Sequence, residues 1–313
     1  MPSLISSNSA SWMPGPSPSA SQDWTNKERT SCQLSIEAME RAAIHSWLAS
    51  YATAWERADS DLIVTLFSED ATYRSHIFKE PHRGREGVRA YWERATSTQE
   101  SVTVRWGTPV VDGRMVAVEW WTTMRDTEAG MDITLPGVLL LEFASDDRCV
   151  SLREYWAFGE GNLEPPPGWG RIELHTSGTA QDHALGWARD YELAWRALDP
   201  EAVAPLYAEN VVYRSHPLRH PHSGRAGVLG YTRQAYAAEA SPNPRFGAPL
   251  AAGCTAAIEY WAILEEEGKL STLAGCDLLL FDNEGLVTEQ REYWHLEEGA
   301  ELPPEEWGWL NRE

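Results

Sequence analysis

The stretch YRSHIFKEPHRGREGVRAY, Tyr73 to Tyr91, returns as YRSHPLRHPHSGRAGVLGY, Tyr213 to Tyr231, with nothing inserted between matching residues. Trp55 matches Trp195, and Glu119 with Trp121 matches Glu259 with Trp261, at the same offset of 213 − 73 = 140 residues. Beyond Trp121 the offset becomes 291 − 153 = 138, so that REYW at Arg153–Trp156 matches REYW at Arg291–Trp294. Two residues are lost in a hairpin turn. A period of this size is that of a domain, well beyond the roughly 20–50 residues of solenoid repeats, so the chain reads as one domain duplicated. At 313 residues each copy can bury a core of its own. The expected division is a Ser- and Pro-rich tail over 1–35, too polar to fold and so disordered, a first domain over 36–170 and a second over 171–313.

Within each copy, Ile44, Leu48, Tyr51 and Trp55, with Ala184, Ala188, Tyr191 and Trp195 in register, form the apolar stripe of an opening helix. Ser60 and the Asp199-Pro200 pair signal the start of a short second helix. A strand ending in YRSH, a third helix from GREGVRAYWERA or GRAGVLGYTRQAY, and β-rich runs turning at DG and SDD follow. The order ααβαββββ predicts an α+β class, with helices on one face of a curved, mostly antiparallel sheet.

This order, the aromatic-rich strand, the Gly-Arg-x-Gly helix start and the closing REYW strand resemble the nuclear transport factor 2-like superfamily, and within it the SnoaL-like branch. The resemblance covers 36–170 and 175–309. It implies two tandem cones, each a sheet wrapped around its first helix with a pocket inside. Ketosteroid isomerases, polyketide cyclases, limonene-epoxide-type hydrolases and scytalone dehydratase share this fold with proteins that only bind, so function rests on the site. Members commonly dimerise through their sheets, which implies an intramolecular pseudo-dimer and a monomer in solution.

The charge of −21 argues against nucleic acid or an anionic membrane as partner. No apolar run reaches the roughly 18 residues of a membrane span, and the N-terminus lacks a signal-like segment, so a cytoplasmic location is expected. The four cysteines form no zinc or disulfide pattern. A share of 16 Trp points instead to aromatic-walled cavities for an apolar, aromatic or cationic small molecule.

Strand alternation puts Ala117, Glu119 and Trp121 on one face and Val118 and Trp120 on the other. Glu119 and its match Glu259, among such neighbours, are candidate proton carriers with a pKa raised by desolvation. The competing reading pairs Glu119 with a buried arginine such as Arg74 or Arg153. Glu154 and Glu292 on the last strand rank second. His76 and His216, or Tyr73 and Tyr213, are candidates to stabilise developing charge, and Arg74 and Arg214 to hold an oxyanion. His82, His222, Tyr91, Tyr231, Trp121 and Trp261 complete the candidate substrate-binding set. His216, His220 and His222 suggest a metal, but Glu80 stands where the second copy has His220, so neither a metal nor another cofactor is expected. The leading expectation is a cofactor-free acid–base enzyme of isomerase, cyclase, dehydratase or hydrolase type. The alternative is a non-catalytic binder of a hydrophobic small molecule.

Overall fold

The computed structural model describes residues 41–172 and 180–309. The expected tail over 1–35, and residues 173–179 at the expected boundary, lie outside the described residues. The first copy opens with α1 (Arg41–Glu56), which buries Ile44, Trp47, Leu48, Tyr51 and Trp55 along the stripe its spacing dictates. α2 (Ser60–Thr65) is capped one residue earlier than the sequence suggests: the Asp59 carboxylate accepts from the Leu62 N–H at 2.8 Å. Then come β1 (Phe67–Arg74), β2 (His82–Arg83), α3 (Gly84–Thr96), β3 (Gln99–Trp106), β4 (Val110–Asp112), β5 (Met115–Asp126), β6 (Met131–Phe143), β7 (Cys149–Trp156) and β8 (Gly159–Glu160).

The second copy repeats the plan with α4 (Ala180–Arg196), α5 (Pro200–Val203), β9 (Tyr207–Arg214), β10 (His222–Ser223), α6 (Gly224–Tyr236), β11 (Ala240–Phe246), β12 (Leu250–Ala252), β13 (Thr255–Glu266), β14 (Lys269–Phe281) and β15 (Val287–Glu298). Asp199 caps α5 with Pro200 in the first turn, as read from the sequence. The fold is α+β, two tandem domains each with a sheet wrapped around helices.

The first sheet runs β2-β1-β7-β6-β5-β3 and the second β10-β9-β15-β14-β13-β11. β1 pairs with β7, and β9 with β15, in parallel; the other pairings are antiparallel. The run VTVRWGTPVV breaks between β3 and β4. There Gly107 packs on Gly170, where a Cβ would come within 2.9 Å of the Gly170 Cα, and the Thr108 N–H donates to the Gly170 carbonyl at 2.7 Å.

Each sheet is covered on both faces. Val116, Val118, Trp120, Leu139 and Leu152 pack on α1 inside the first cone, and Ile258, Tyr260 and Leu279 close the corresponding core of the second. On the opposite faces, Ala117, Val138, Leu140 and Tyr155 of the first copy join Ala257, Trp261, Leu278 and Tyr293 of the second in a shared core. Burial on both faces, rather than alternation of apolar and polar residues, is therefore the rule for β5 and β13.

Candidate active site

Inside the first cone lies a cavity of about 220 Å³ walled by Trp55, Tyr73, Tyr91, Trp92, Trp120 and Trp156, with Gln99 at its edge and Glu154 as its carboxyl group. Glu154 faces inward because β7 alternates: Leu152, Glu154 and Trp156 point into the cone, while Arg153 and Tyr155 point to the other copy. Its Oε1 accepts from the Tyr73 hydroxyl at 3.2 Å, and the Tyr73 and Tyr51 hydroxyls lie 2.8 Å apart, giving a buried chain of three polar groups. Burial pushes the Glu154 carboxyl up to about 8, with the Tyr73 bond opposing. Trp92 and Trp120 line the same space, and among the described residues neither indole N–H has a hydrogen-bond partner. Trp120 can lie flat on β6 because Gly137 is beneath it, where a Cβ would come 2.5 Å from the ring.

The second cone encloses about 70 Å³ and is more acidic. Glu292 repeats Glu154, accepting from the Tyr213 hydroxyl at 2.5 Å. Asp277 and Glu239 join it in the lining. Gln290 bridges the two acids of the sheet, donating from Nε2 to Asp277 at 2.8 Å and to Glu292 at 3.0 Å. Burial raises the Asp277 carboxyl to about 7; burial, then the charge of Asp277, raises Glu292 well above its ordinary value. Glu239, bonded by the Trp195 indole at 2.7 Å, is also raised to about 7 by burial.

A family model for the SnoaL-like domain matches residues 48–152 and again 188–290, which together make up more than half of the sequence. The chain belongs to the SnoaL-like domain family. A search of curated proteins gives no match. Among solved structures, a hypothetical protein of Catenulispora acidiphila with a ketosteroid isomerase-like fold, in complex with trimethylamine, is similar at 23% identity, over 36% of this chain and 85% of its own, with a TM-score of 0.33. The epoxide hydrolase/cyclase-like enzyme SalBIII of salinomycin pyran-ring formation is similar at 23% identity over 37% of this chain and 95% of its own, TM-score 0.34. RV0760c of Mycobacterium tuberculosis is similar at 20% identity over 38% and 98%, TM-score 0.34.

In this SnoaL-like tandem, Glu119 and Glu259 do not line either cone. Arg291 grips Glu119 with Nε and Nη2 at 2.7 and 2.9 Å, and the Tyr293 hydroxyl adds a third bond at 2.7 Å. Arg153 grips Glu259 likewise at 3.1 and 2.9 Å, with the Tyr155 hydroxyl at 2.8 Å and the Gly308 N–H at 2.7 Å. Each pair crosses between the copies. The structural reading of Glu119 had the right kind of partner and the wrong residue, because Arg291 stands in the other copy. Both carboxylates are thus saturated with donors and link the two copies.

Trp121 and Trp261 share those outer faces, their indoles donating to the Leu163 and Glu301 carbonyls at 2.8 and 3.0 Å. Arg74 pairs with Glu306 of the second copy at 2.6 Å, and Arg214 lines an open cleft beside Trp121. None of these four reaches a cone interior. His76 and His216 also stand outside: β1 and β9 end at Arg74 and Arg214, so the histidines fall in the following turns rather than on the strand face. The His76 ring stacks on His295 at 4.0 Å, and burial with that neighbour takes His295 down to about 3.

His82 and His222 are not among the cavity-lining residues and stack on Tyr91 at 4.5 Å and on Tyr231 at 4.3 Å. The structure does bring Tyr73, Tyr91 and Glu154 together in one cone, and Tyr213, Tyr231 and Glu292 in the other. Trp92, Trp120, Glu239 and Asp277 were missed as site residues. Asp277 carried a signal, being a lone acid in LAGCDLLLF where the first copy reads LPGVLLLEF. Among the described residues no three His, Cys, Asp or Glu side chains converge as metal ligands, and no helix is long and apolar enough to cross a membrane.

Proposed function

We propose that this chain is an acid–base enzyme whose first cone moves a proton on a small apolar or aromatic compound bearing an oxygen acceptor, with Glu154 as the proton carrier. The observation that carries the reading is the single carboxyl in an aromatic cavity, held by Tyr73 and raised to about 8. A group so placed is mostly protonated at neutral pH and can give its proton to a carbonyl oxygen, after which the carboxylate so formed can take the proton from the adjacent carbon and leave the enol. The rings of Trp92 and Trp120 form part of the walls. At 220 Å³ the cavity falls below the roughly 300 Å³ at which drug-sized sites begin, which favours a one-ring substrate.

The test is exchange of α-protons of small aryl ketones in deuterated water, followed by NMR. Wild-type protein should accelerate exchange, and Glu154→Gln should slow it by about 10²-fold or more. Unchanged exchange in a folded Glu154→Gln protein removes the assignment. Saturable binding of the ketones without exchange would favour the non-catalytic binder instead.

A further inference from the structure

The second cone differs from the first in ways that point to a ligand of another charge. Position for position, Asp277 replaces Leu139, Gln290 replaces Leu152 and Glu239 replaces Gln99. The result is a cavity whose described lining residues include three carboxyl groups and no Arg, Lys or His. Asp277 is 2% exposed and Glu292 9%, so water does little to solvate them. Buried carboxylates without a countercharge are costly, and they either keep their protons or gain a cation. The walls suit a cation as well: Trp195, Tyr213, Tyr231, Phe246 and Tyr260 turn aromatic rings to the same space. Tyr236 also lines it, is 8% exposed, and its hydroxyl has no hydrogen-bond partner among the described residues. That is an unpartnered polar group at the wall, beside acids whose internal side-chain donors among the described residues are Gln290, Tyr213 and Trp195.

We infer that the second cone is a binding site for a small organic ammonium ion, whose N–H groups bond Asp277 and Glu292 and whose alkyl part packs on the aromatic walls. The volume of about 70 Å³ admits a cation of only a few heavy atoms. This inference shares with the proposed function the reading of the cones as small-molecule pockets. It is independent of the chemistry assigned to Glu154.

The experiment is calorimetric titration of the full chain with isopropylammonium chloride at about pH 8, where the Asp277 and Glu239 carboxyls are largely ionised, against 2-propanol as a neutral molecule of the same shape. The ammonium should bind saturably and at least about tenfold more tightly than the alcohol. Asp277→Leu combined with Gln290→Leu installs the side chains that the first cone already accommodates, and should abolish that binding. Asp277→Asn keeps the shape and the Gln290 neighbour, and should weaken it by about tenfold or more, which keeps the inference testable if the double variant does not fold. Glu154→Gln should leave ammonium binding intact, so a failure here and a failure of the proposed proton transfer are told apart. Equal affinity for ammonium and alcohol, no saturable ammonium binding, or binding that survives both Asp277 changes would overturn it.

Discussion

The two cones share one backbone plan and differ in what a few inward side chains make of it. In the first, Leu139 and Leu152 leave Glu154 as a single carboxyl among rings, in a cavity of about 220 Å³. In the second, Asp277 and Gln290 draw Glu292 into a hydrogen-bonded acidic cluster, and the space shrinks to about 70 Å³. The outer faces, by contrast, stay alike: each copy offers one glutamate to a bidentate arginine and a tyrosine of the other. The lesson is that the contact between copies and the cone interior answer to different residues on the same strands. One can diverge while the other is kept, because adjacent residues of a strand face opposite ways.

The comparison breaks most readily at the carboxyls themselves. If the first cone alone carries the proposed chemistry, Glu154→Gln loses about 10²-fold or more in ketone proton exchange, whereas Glu292→Gln leaves the rate within about twofold. Equal losses in both variants would show that the two interiors act alike. Next in size is the shared face. Arg291→Met and Arg153→Met each strand a buried glutamate and should cost about 3–5 kcal/mol in urea unfolding. A loss under about 1 kcal/mol from either would mean that the two pairs are not the equivalent anchors their geometry describes.

A graft sharpens the contrast further. Leu139→Asp sets the second cone's acid into the first without the bridging amide, and should destabilise by roughly 3 kcal/mol. Adding Leu152→Gln should recover part of that. Smaller still is a pH effect. The folded chain keeps the Glu154 proton up to about 8, while an unfolded chain releases it near 4.5, so stability falls as pH rises between those values and levels off above. The Glu154 share of the slope is up to about 1.4 kcal/mol per pH unit. Glu154→Gln should take that share out of unfolding curves measured across the window and leave the part of the same sign that the raised Asp277, Glu239 and Glu292 carboxyls contribute. Last, if the outer faces are satisfied within one chain, sedimentation should report a single species of 35.1 kDa. A species of twice that mass would show that another surface pairs.

Much of the fold was legible in the sequence, for stated reasons. The repeat of Tyr73–Tyr91 at Tyr213–Tyr231 fixed the duplication, and the stripe from Ile44 to Trp55 fixed the helix inside the cone, since both depend on spacing along the chain. The inward pairing of Tyr73 with Glu154 needed strands 81 residues apart to come together, and spacing says nothing of that. Alternation correctly separated Glu119 from Val118 and Trp120. It could not say which of two apolar faces looks into the cavity, and Glu119 was assigned to the wrong one.

What the linear order of residues determined by itself is therefore the architecture: two copies, their element order, and the aromatic and acidic groups available to each. What only the tertiary structure decided is the use of those groups. Arg291 lies 172 residues from Glu119 and binds it because the two sheets meet back to back, and Glu154 is left inside because its neighbour Arg153 is turned out to Glu259. A periodicity of two residues defines two faces of a strand and is blind to which one is hollow, since a second sheet and a helix bury apolar side chains equally well.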